Sequence, residues 1–149
     1  MYARVLVLTA LVAALGLLVA PAAGAETPDL ADARLVAHGD GVAVLRGKGF
    51  VDVSGNGILW VRDLAGDAKI KVTGYGSKEV FPDGWIQYAG LHGTAQVTGS
   101  SVRVAIAGVD VDLTTIGHGE ASLWGHGSHQ VGSKTGTWMT IDRGSRALY

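Results

Sequence analysis

Pairs of glycines separated by a single residue recur along the first half of this chain. The pairs are Gly39/Gly41, Gly47/Gly49, Gly55/Gly57 and, after a gap, Gly74/Gly76. The first three follow one another at a constant step of eight residues, and short runs rich in Val, Ile, Leu, Trp and Phe lie between them. Because glycine takes positive φ without a steric penalty, a regular glycine step predicts tight corners in an otherwise extended chain. This pattern favours an all-β fold.

The segments between the glycines alternate apolar and polar residues, as a strand with one buried face does. In residues 68–73 an Ala, an Ile and a Val alternate with two Lys and a Thr. Val109, Val111 and Leu113 alternate with aspartates in the same way. Such alternation is typical of antiparallel or solenoid sheets rather than of a parallel sheet covered on both faces. No segment after residue 25 has a clear 3.6-residue period, so we expect no helix.

Residues 58–63 depart from this alternation. Ile58 and Trp60 would lie on one side of a strand, and Leu59 and Val61 on the other. Such a strand is either central and buried on both sides, or it carries an exposed apolar patch that can bind a partner.

We expect a single all-β domain of about eleven short strands. In one layout it is an antiparallel meander that forms a sandwich or barrel, and each glycine pair is a hairpin turn. In the alternative, a β-solenoid, each glycine pair is a corner of a coil. The sequence Pro82-Asp83-Gly84 predicts a turn near the middle of the chain, after which a second array of strands would begin at about Leu91.

The N-terminus has the pattern of a secretory signal peptide. One basic residue, Arg4, precedes an apolar run over residues 5–20, and the small residues Ala23-Gly24-Ala25 follow. We expect residues 1–25 to be the signal peptide, residues 26–34 a polar linker and residues 35–149 the domain. The product would be exported to the periplasm, the cell surface or the medium. An uncleaved membrane anchor is the alternative.

Composition narrows the possible partners and chemistry. The chain has no Cys, which excludes thiol catalysis and thiolate metal ligands. Its formal net charge is −1 at pH 7, and the charges are scattered singly, without the basic stripe that nucleic acids require. No later apolar stretch is long enough for a membrane span, so neither nucleic acid nor a span after signal cleavage is expected. The partner itself is not identified, and an envelope protein or a glycan are the candidates.

Two stretches resemble a known type of repeat: VSGNGILWVRDLAGDAKIKVTGYG and GTAQVTGSSVRVAIAG. They are similar to the glycine-stepped repeats of exported bacterial β proteins of the putative-adhesin, head-GIN type, over residues 39–76 and 93–127. The resemblance implies a β-solenoid, non-enzymatic protein of the cell envelope or surface. It assigns no functional residue.

Histidines near the C-terminal end suggest a metal site. Gly-His-Gly occurs twice, with His118 and His126 one glycine step apart, and Glu120 and His129 lie close by in sequence. Three imidazoles and a carboxylate at one rim would match the ligands of zinc or copper. The alternative is that these histidines lie in solvent-exposed turns and bind nothing, in which case the protein needs no cofactor.

The main functional expectation is a non-enzymatic binding or structural protein. No Gly-x-Ser-x-Gly elbow is present, and a Gly-x-Gly-x-x-Gly nucleotide loop would lack the helix that must follow it. Metal binding is one alternative function. Carbohydrate binding is another, since exposed aromatic rings can stack on sugar rings, and the chain has four tryptophans. They are Trp60, Trp85, Trp124 and Trp138.

Overall fold

The computed structural model describes residues 33–139 and 145–149. This part of the chain is nearly all β and contains no helix, as expected. The strands are β1 (Arg34–Asp63), β2 (Lys69–Val72), β3 (Ser77–Val80), β4 (Trp85–Val131), β5 (Lys134–Thr137) and β6 (Ser145–Leu148). It follows that no described helix is long and apolar enough to cross a membrane. The predicted signal peptide, residues 1–25, lies outside the described residues, as does the predicted linker up to residue 32.

Two long strands, β1 and β4, wind around each other as an antiparallel coil. Val42 of β1 pairs with Ala107 on one side and with Trp124 on the other. Ala107 in turn pairs with both Val42 and Ile58, which are sixteen residues apart. The chain therefore returns to its own partner after every two glycine steps. One turn of the coil contains two glycine corners.

The glycine pairs bend the strands but do not end them, which corrects the expected strand count. The predicted meander placed a hairpin turn at each pair, whereas Gly39/Gly41, Gly47/Gly49 and Gly55/Gly57 all lie inside β1. About eleven short segments are thus joined into six strands. The antiparallel pairing is as predicted, but the sheet is not closed into a barrel. No second array begins at Leu91, which lies within β4.

Close approach of two backbones explains why these corners require glycine. On β1 the odd-numbered residues face the core, and the paired glycines are odd-numbered too. A Cβ added to Gly47 would lie 2.7 Å from the Cα of Gly119 on β4, and one added to Gly39 would lie 2.8 Å from the Cα of Gly127. Neither Gly39 nor Gly47 has a positive φ. Space inside the bend, rather than φ alone, therefore excludes a side chain there.

Bulges in β4 change which residues face inward. Gly39 pairs with Val111 and Gly41 with Gly108, so two β4 residues lie opposite the single residue between the glycines. One of these two, Asp110, has a φ of 52°. The expectation that Val109 shares a buried side with Val111 is therefore wrong: Val109 is 51% exposed and Val111 is fully buried. An extra residue in one strand shifts the alternation by one position.

Aliphatic side chains fill the interior of the coil. Those with no exposed surface are Leu35, Ala43, Val53, Leu59, Val61, Leu91, Ala95, Val97, Val104, Ile106, Val111, Ala121 and Leu123. Near one end Tyr149 is also buried, because its backbone exchanges two hydrogen bonds with Gly119. The interior is thus filled by side chains, and functional groups must lie on the outer side of the sheet or at its corners.

Candidate functional site

The segment that breaks the alternation carries apolar residues on the outer side of the sheet. Leu59 and Val61 are fully buried in the core, while Ile58 and Trp60 point the other way and are only partly covered. Of the two interpretations of residues 58–63, the structure favours the strand with an apolar outer surface.

Next to Trp60 the outer surface contains a cavity of about 420 Å³. It is lined by Trp60, Phe81, Asp83, Trp85 and Ala105. We call this the aromatic pocket. Three aromatic rings supply most of its wall, and the Asp83 carboxylate is its charged group. A concave, mainly aromatic site with one polar anchor is the usual form of a small-ligand site.

The pocket is built by one tight turn and one small residue. The predicted turn at residues 82–84 is present: the Gly84 N–H donates to the Phe81 carbonyl at 2.9 Å, and the Phe81 N–H donates to the Trp85 carbonyl at 2.8 Å. The turn holds Phe81 and Trp85 close together at the start of β4. On the neighbouring strand Ala105 lies directly opposite Trp60, and its short side chain leaves space beside the indole.

A row of three arginines runs across the same outer surface to the pocket. In the sheet register Arg46 lies opposite Arg103, Arg103 lies opposite Arg62, and Arg62 lies opposite Trp85. The Arg62 guanidinium lies over the Trp85 ring, 5.9 Å from its centroid. We call Arg46, Arg103 and Arg62 the arginine row. Neighbouring strands are about 4.8 Å apart, so the row places three arginines at adjacent positions across the sheet.

No acidic side chain of the described residues forms an ion pair with the arginine row. The contact with ion-pair geometry found in residues 33–139 and 145–149 is on another part of the surface, where the His38 Nδ1 and the Asp112 Oδ1 are 2.7 Å apart. The Nε of Arg103 is buried and has no hydrogen-bond partner in that same part of the chain. Like charges directly opposite each other in a sheet are unfavourable. Glu120 lies opposite Arg46 at the outer end of the row, whereas Arg103 and Arg62 have no acidic residue opposite them in the register. The charges of these two arginines are therefore not balanced by a neighbouring carboxylate of the described residues.

The loop that follows β1 is held by two aspartates. The Asp63 carboxylate accepts hydrogen bonds from the N–H groups of Ala68 (2.8 Å), Gly66 (2.8 Å) and Ala65 (3.1 Å). These donors, above all that of Ala68, lower the pKa of Asp63. Ser100 lowers the pKa of Asp67 in the same way, through its side chain first and then its backbone N–H. The end of β1 beside Arg62 is thereby fixed.

The four residues of the predicted metal site are not brought together. His118 lies opposite Lys48 at one corner of the coil, and His126 lies opposite Asp40 at another. Eight residues are half a turn, so the two imidazoles belong to successive corners rather than to stacked ones. Nowhere in the described ranges do three or more His, Cys, Asp or Glu side chains form a group able to hold a metal ion.

The remaining two residues of that prediction face different surroundings. Glu120 lies opposite Arg46 on the outer surface. His129 is on the side of β4 that faces the interior, against Gly136 of β5: a Cβ at Gly136 would be 2.8 Å from the His129 Nε2. The geometry gives the zinc or copper prediction no support.

Of the four tryptophans, two line the aromatic pocket. Trp138 is buried, and its Nε1–H donates to the Ser128 carbonyl at 3.0 Å. Trp124 is partly exposed on the outer surface, beside Val42 and outside the pocket. The candidate sugar platform is therefore Trp60 and Trp85, with Phe81 completing it.

Known proteins give no guide to what this site does. No family model, curated protein or solved structure matches the chain. Function must be argued from the geometry.

The arginine row was not predicted from the sequence, although a signal for it was present. Arg46 and Arg62 are sixteen residues apart, which is one turn of the coil. Reading two glycine steps as one turn would have placed them on the same side. The position of Arg103 between them depends on the β1–β4 register, which no local pattern specifies.

Proposed function

We propose that this protein is an exported, non-enzymatic envelope or surface protein that binds carbohydrate in the aromatic pocket. The observation that carries the proposal is the pocket itself: Trp60, Phe81 and Trp85 around one cavity on the outer side of the sheet. Export rests on the sequence pattern of residues 1–25.

The chemistry of the pocket fits a sugar better than a purely apolar ligand. Aromatic rings offer flat surfaces for the C–H groups of a sugar ring, and a carboxylate such as Asp83 accepts hydrogen bonds from hydroxyl groups. The pocket is open to one side of the sheet and is fixed by the hydrogen-bonded turn at residues 81–84. A rigid platform of this kind needs little ordering when a ligand binds.

The proposal includes a finer view of the architecture. Segments 34–38 and 50–54 of β1 pair with residues 112–116 of β4, whereas segments 42–47 and 58–63 pair with residues 102–107. Consecutive segments of β1 thus alternate between two groups of paired strands, one containing residues 112–116 and the other containing residues 102–107. Two sets joined at glycine corners and filled with aliphatic side chains would form a coiled sandwich of two layers, and the pocket would lie on the outside of one layer.

Binding of soluble oligosaccharides to the purified protein tests this function. We would measure affinity by calorimetry for neutral and acidic hexasaccharides, with Trp60→Ala and Trp85→Ala as pocket variants and Trp124→Ala as the matched control. The pocket variants should lose at least about tenfold in affinity, since truncation of an aromatic side chain that dominates a binding site costs on the order of 2 kcal/mol or more, and the control should bind normally. Absence of binding to any oligosaccharide, or equal binding by all variants, would refute the proposal.

A further inference from the structure

We infer that the ligand of this surface is an acidic glycan, whose negative groups are bound by the arginine row while one sugar ring occupies the aromatic pocket. This inference rests on the proposed function and specifies its ligand class. Carboxylate and sulfate groups on sugar rings share the required chemistry.

The first argument is the position of the row relative to the pocket. Arg62 lies beside Trp85; Arg103 of β4 lies next across the sheet, and Arg46, one coil turn before Arg62 on β1, follows it. The row runs across the strands, so a chain of sugar rings that begins in the pocket can extend along it. The backbone positions that carry successive arginines are about one strand spacing, 4.8 Å, apart, a distance comparable to one sugar ring.

The second argument is the unsatisfied chemistry of the row. Guanidinium groups bind carboxylate and sulfate oxygens through two parallel hydrogen bonds, which ammonium groups cannot do. The Nε of Arg103 is buried without an acceptor, and buried donors in proteins are nearly always hydrogen-bonded. Three neighbouring cations with no ion pair among the described residues repel one another. A bound anion would remove both costs at once.

The third argument is the contrast with the rest of the surface. On the outer side of the neighbouring segments acidic side chains contact polar ones: the Asp112 Oδ1 lies 2.7 Å from the His38 Nδ1, and the Asp52 carboxylate accepts a hydrogen bond from Gln96 at 3.2 Å. The formal net charge of the whole chain is −1. The row is thus a local positive region on a protein without general attraction for polyanions, which gives it selectivity.

The experiment compares glycans that differ only in charge. A galacturonic acid hexasaccharide is compared with its fully methyl-esterified form, and dextran sulfate with dextran. Both charged probes should bind the purified protein more tightly than their neutral counterparts, and added salt should weaken only the charged ones. Comparison of the two charged probes tells whether carboxylate or sulfate is preferred.

Variants of the row separate this inference from the proposed function. Arg103→Gln and Arg46→Gln should each lower affinity for the charged probes by roughly tenfold or more, as loss of a hydrogen bond to a charged group does, and leave neutral binding unchanged. Arg103→Lys should not restore the affinity for the charged probes, because an ammonium group cannot form two parallel hydrogen bonds to one anion. Arg34→Gln, an exposed change of the same charge elsewhere on β1, is the control. Because Arg46 is exposed, its variant keeps the test valid even if Arg103→Gln fails to fold.

The outcomes distinguish the acidic-glycan inference from the proposed carbohydrate-binding function. Equal binding of charged and neutral glycans, unaffected by the arginine variants, would overturn the inference and leave carbohydrate binding intact. Arginine-dependent binding of charged probes that is insensitive to Trp60→Ala would overturn the pocket as a sugar site. Stronger, arginine-dependent binding of inorganic polyphosphate or of an RNA oligonucleotide than of either glycan would overturn the assignment to glycans.

Discussion

Gly41 and Gly125 lie opposite each other at a corner of the coil, so close that a Cβ on Gly41 would be 2.9 Å from the Cα of Gly125. Both have positive φ, 141° and 131°. Gly41→Ala should therefore destabilise the protein by more than about 2 kcal/mol, because the added methyl group must displace backbone. Chemical denaturation followed by tryptophan fluorescence measures this.

Gly76→Ala is the matched control for the corner variant. A Cβ at Gly76 would meet a single backbone atom, the Ala89 carbonyl oxygen, at 3.4 Å, so its effect should stay below about 1 kcal/mol. Similar destabilisation by both variants would contradict the role assigned to backbone contact at the corners.

The bulge at Asp110 predicts that a glycine variant is more stable than an alanine variant at this position. Asp110 has a φ of 52°, where side chains other than those of Gly, Asn and Asp are strained. Asp110→Gly should therefore be more stable than Asp110→Ala by about 1 kcal/mol. The Asp110 N–H still donates to Asp40 in both variants, so that hydrogen bond does not confuse the comparison. Equal melting temperatures for the two variants would count against the strained bulge.

Stability at acid pH should depend on Asp63 and Asp67. Both carboxyl groups have a pKa below the ordinary aspartate value of 3.8, because N–H and hydroxyl donors favour their charged form. Their contribution is present above pH 3.8 and is lost as the pH falls through the lower, folded-state pKa. Asp63→Asn, which removes the acceptor for Ala68, should lower the melting temperature at pH 7 but have little effect at the lowest pH.

Glu79→Gln serves as the control for that pH series, since Glu79 is an exposed residue of β3. The melting temperature of Glu79→Gln should change with pH in the same way as that of the wild type. A constant difference between Asp63→Asn and wild type from pH 7 to pH 2 would contradict the linkage.

At alkaline pH the stability of the protein should depend on Tyr149. Burial raises the pKa of its phenol above 10.0, and the buried Thr115 hydroxyl beside it acts in the opposite direction to a smaller extent. Its contribution to stability is complete below pH 10.0 and is lost as the pH rises through the folded-state pKa. Tyr149→Phe should lose stability less steeply above pH 10 than wild type does. Tyr75→Phe, at an exposed tyrosine, should follow wild type.

The metal prediction has a direct test. If zinc or copper bound at His118 and His126, it would raise the melting temperature, and the His118→Ala/His126→Ala double variant would abolish the shift. The register places the two residues at successive corners, opposite Lys48 and Asp40. We therefore expect no shift that depends on this pair of histidines, and observing one would reinstate the predicted site.

Local sequence patterns were sufficient to predict an all-β fold but not the coiled pairing of β1 with β4. The alternation in residues 68–73 and the turn at residues 82–84 could be predicted because neighbours in sequence determine them. The glycine step was recognised, but a hairpin turn and a bend both use glycine, so the strand count was wrong. The arginine row escaped because its members meet only through the β1–β4 register. Trp60 and Trp85 could be named in advance, whereas their convergence with Phe81 on one cavity could not.

The coiled pairing of β1 with β4 has a consequence for how the chain reaches its native state. Leu35 lies next to both Thr115 and Val131, so the earliest segment of the sheet acquires its neighbours only when nearly the whole polypeptide has emerged. Such distant contacts make folding slow. Residues 50–63 can pair earlier with residues 85–98, but residues 34–47 pair only with residues 102–131 and until then keep free hydrogen-bonding groups along both edges, open to wrong partners. A chain built in this way should gain from a holding chaperone during synthesis.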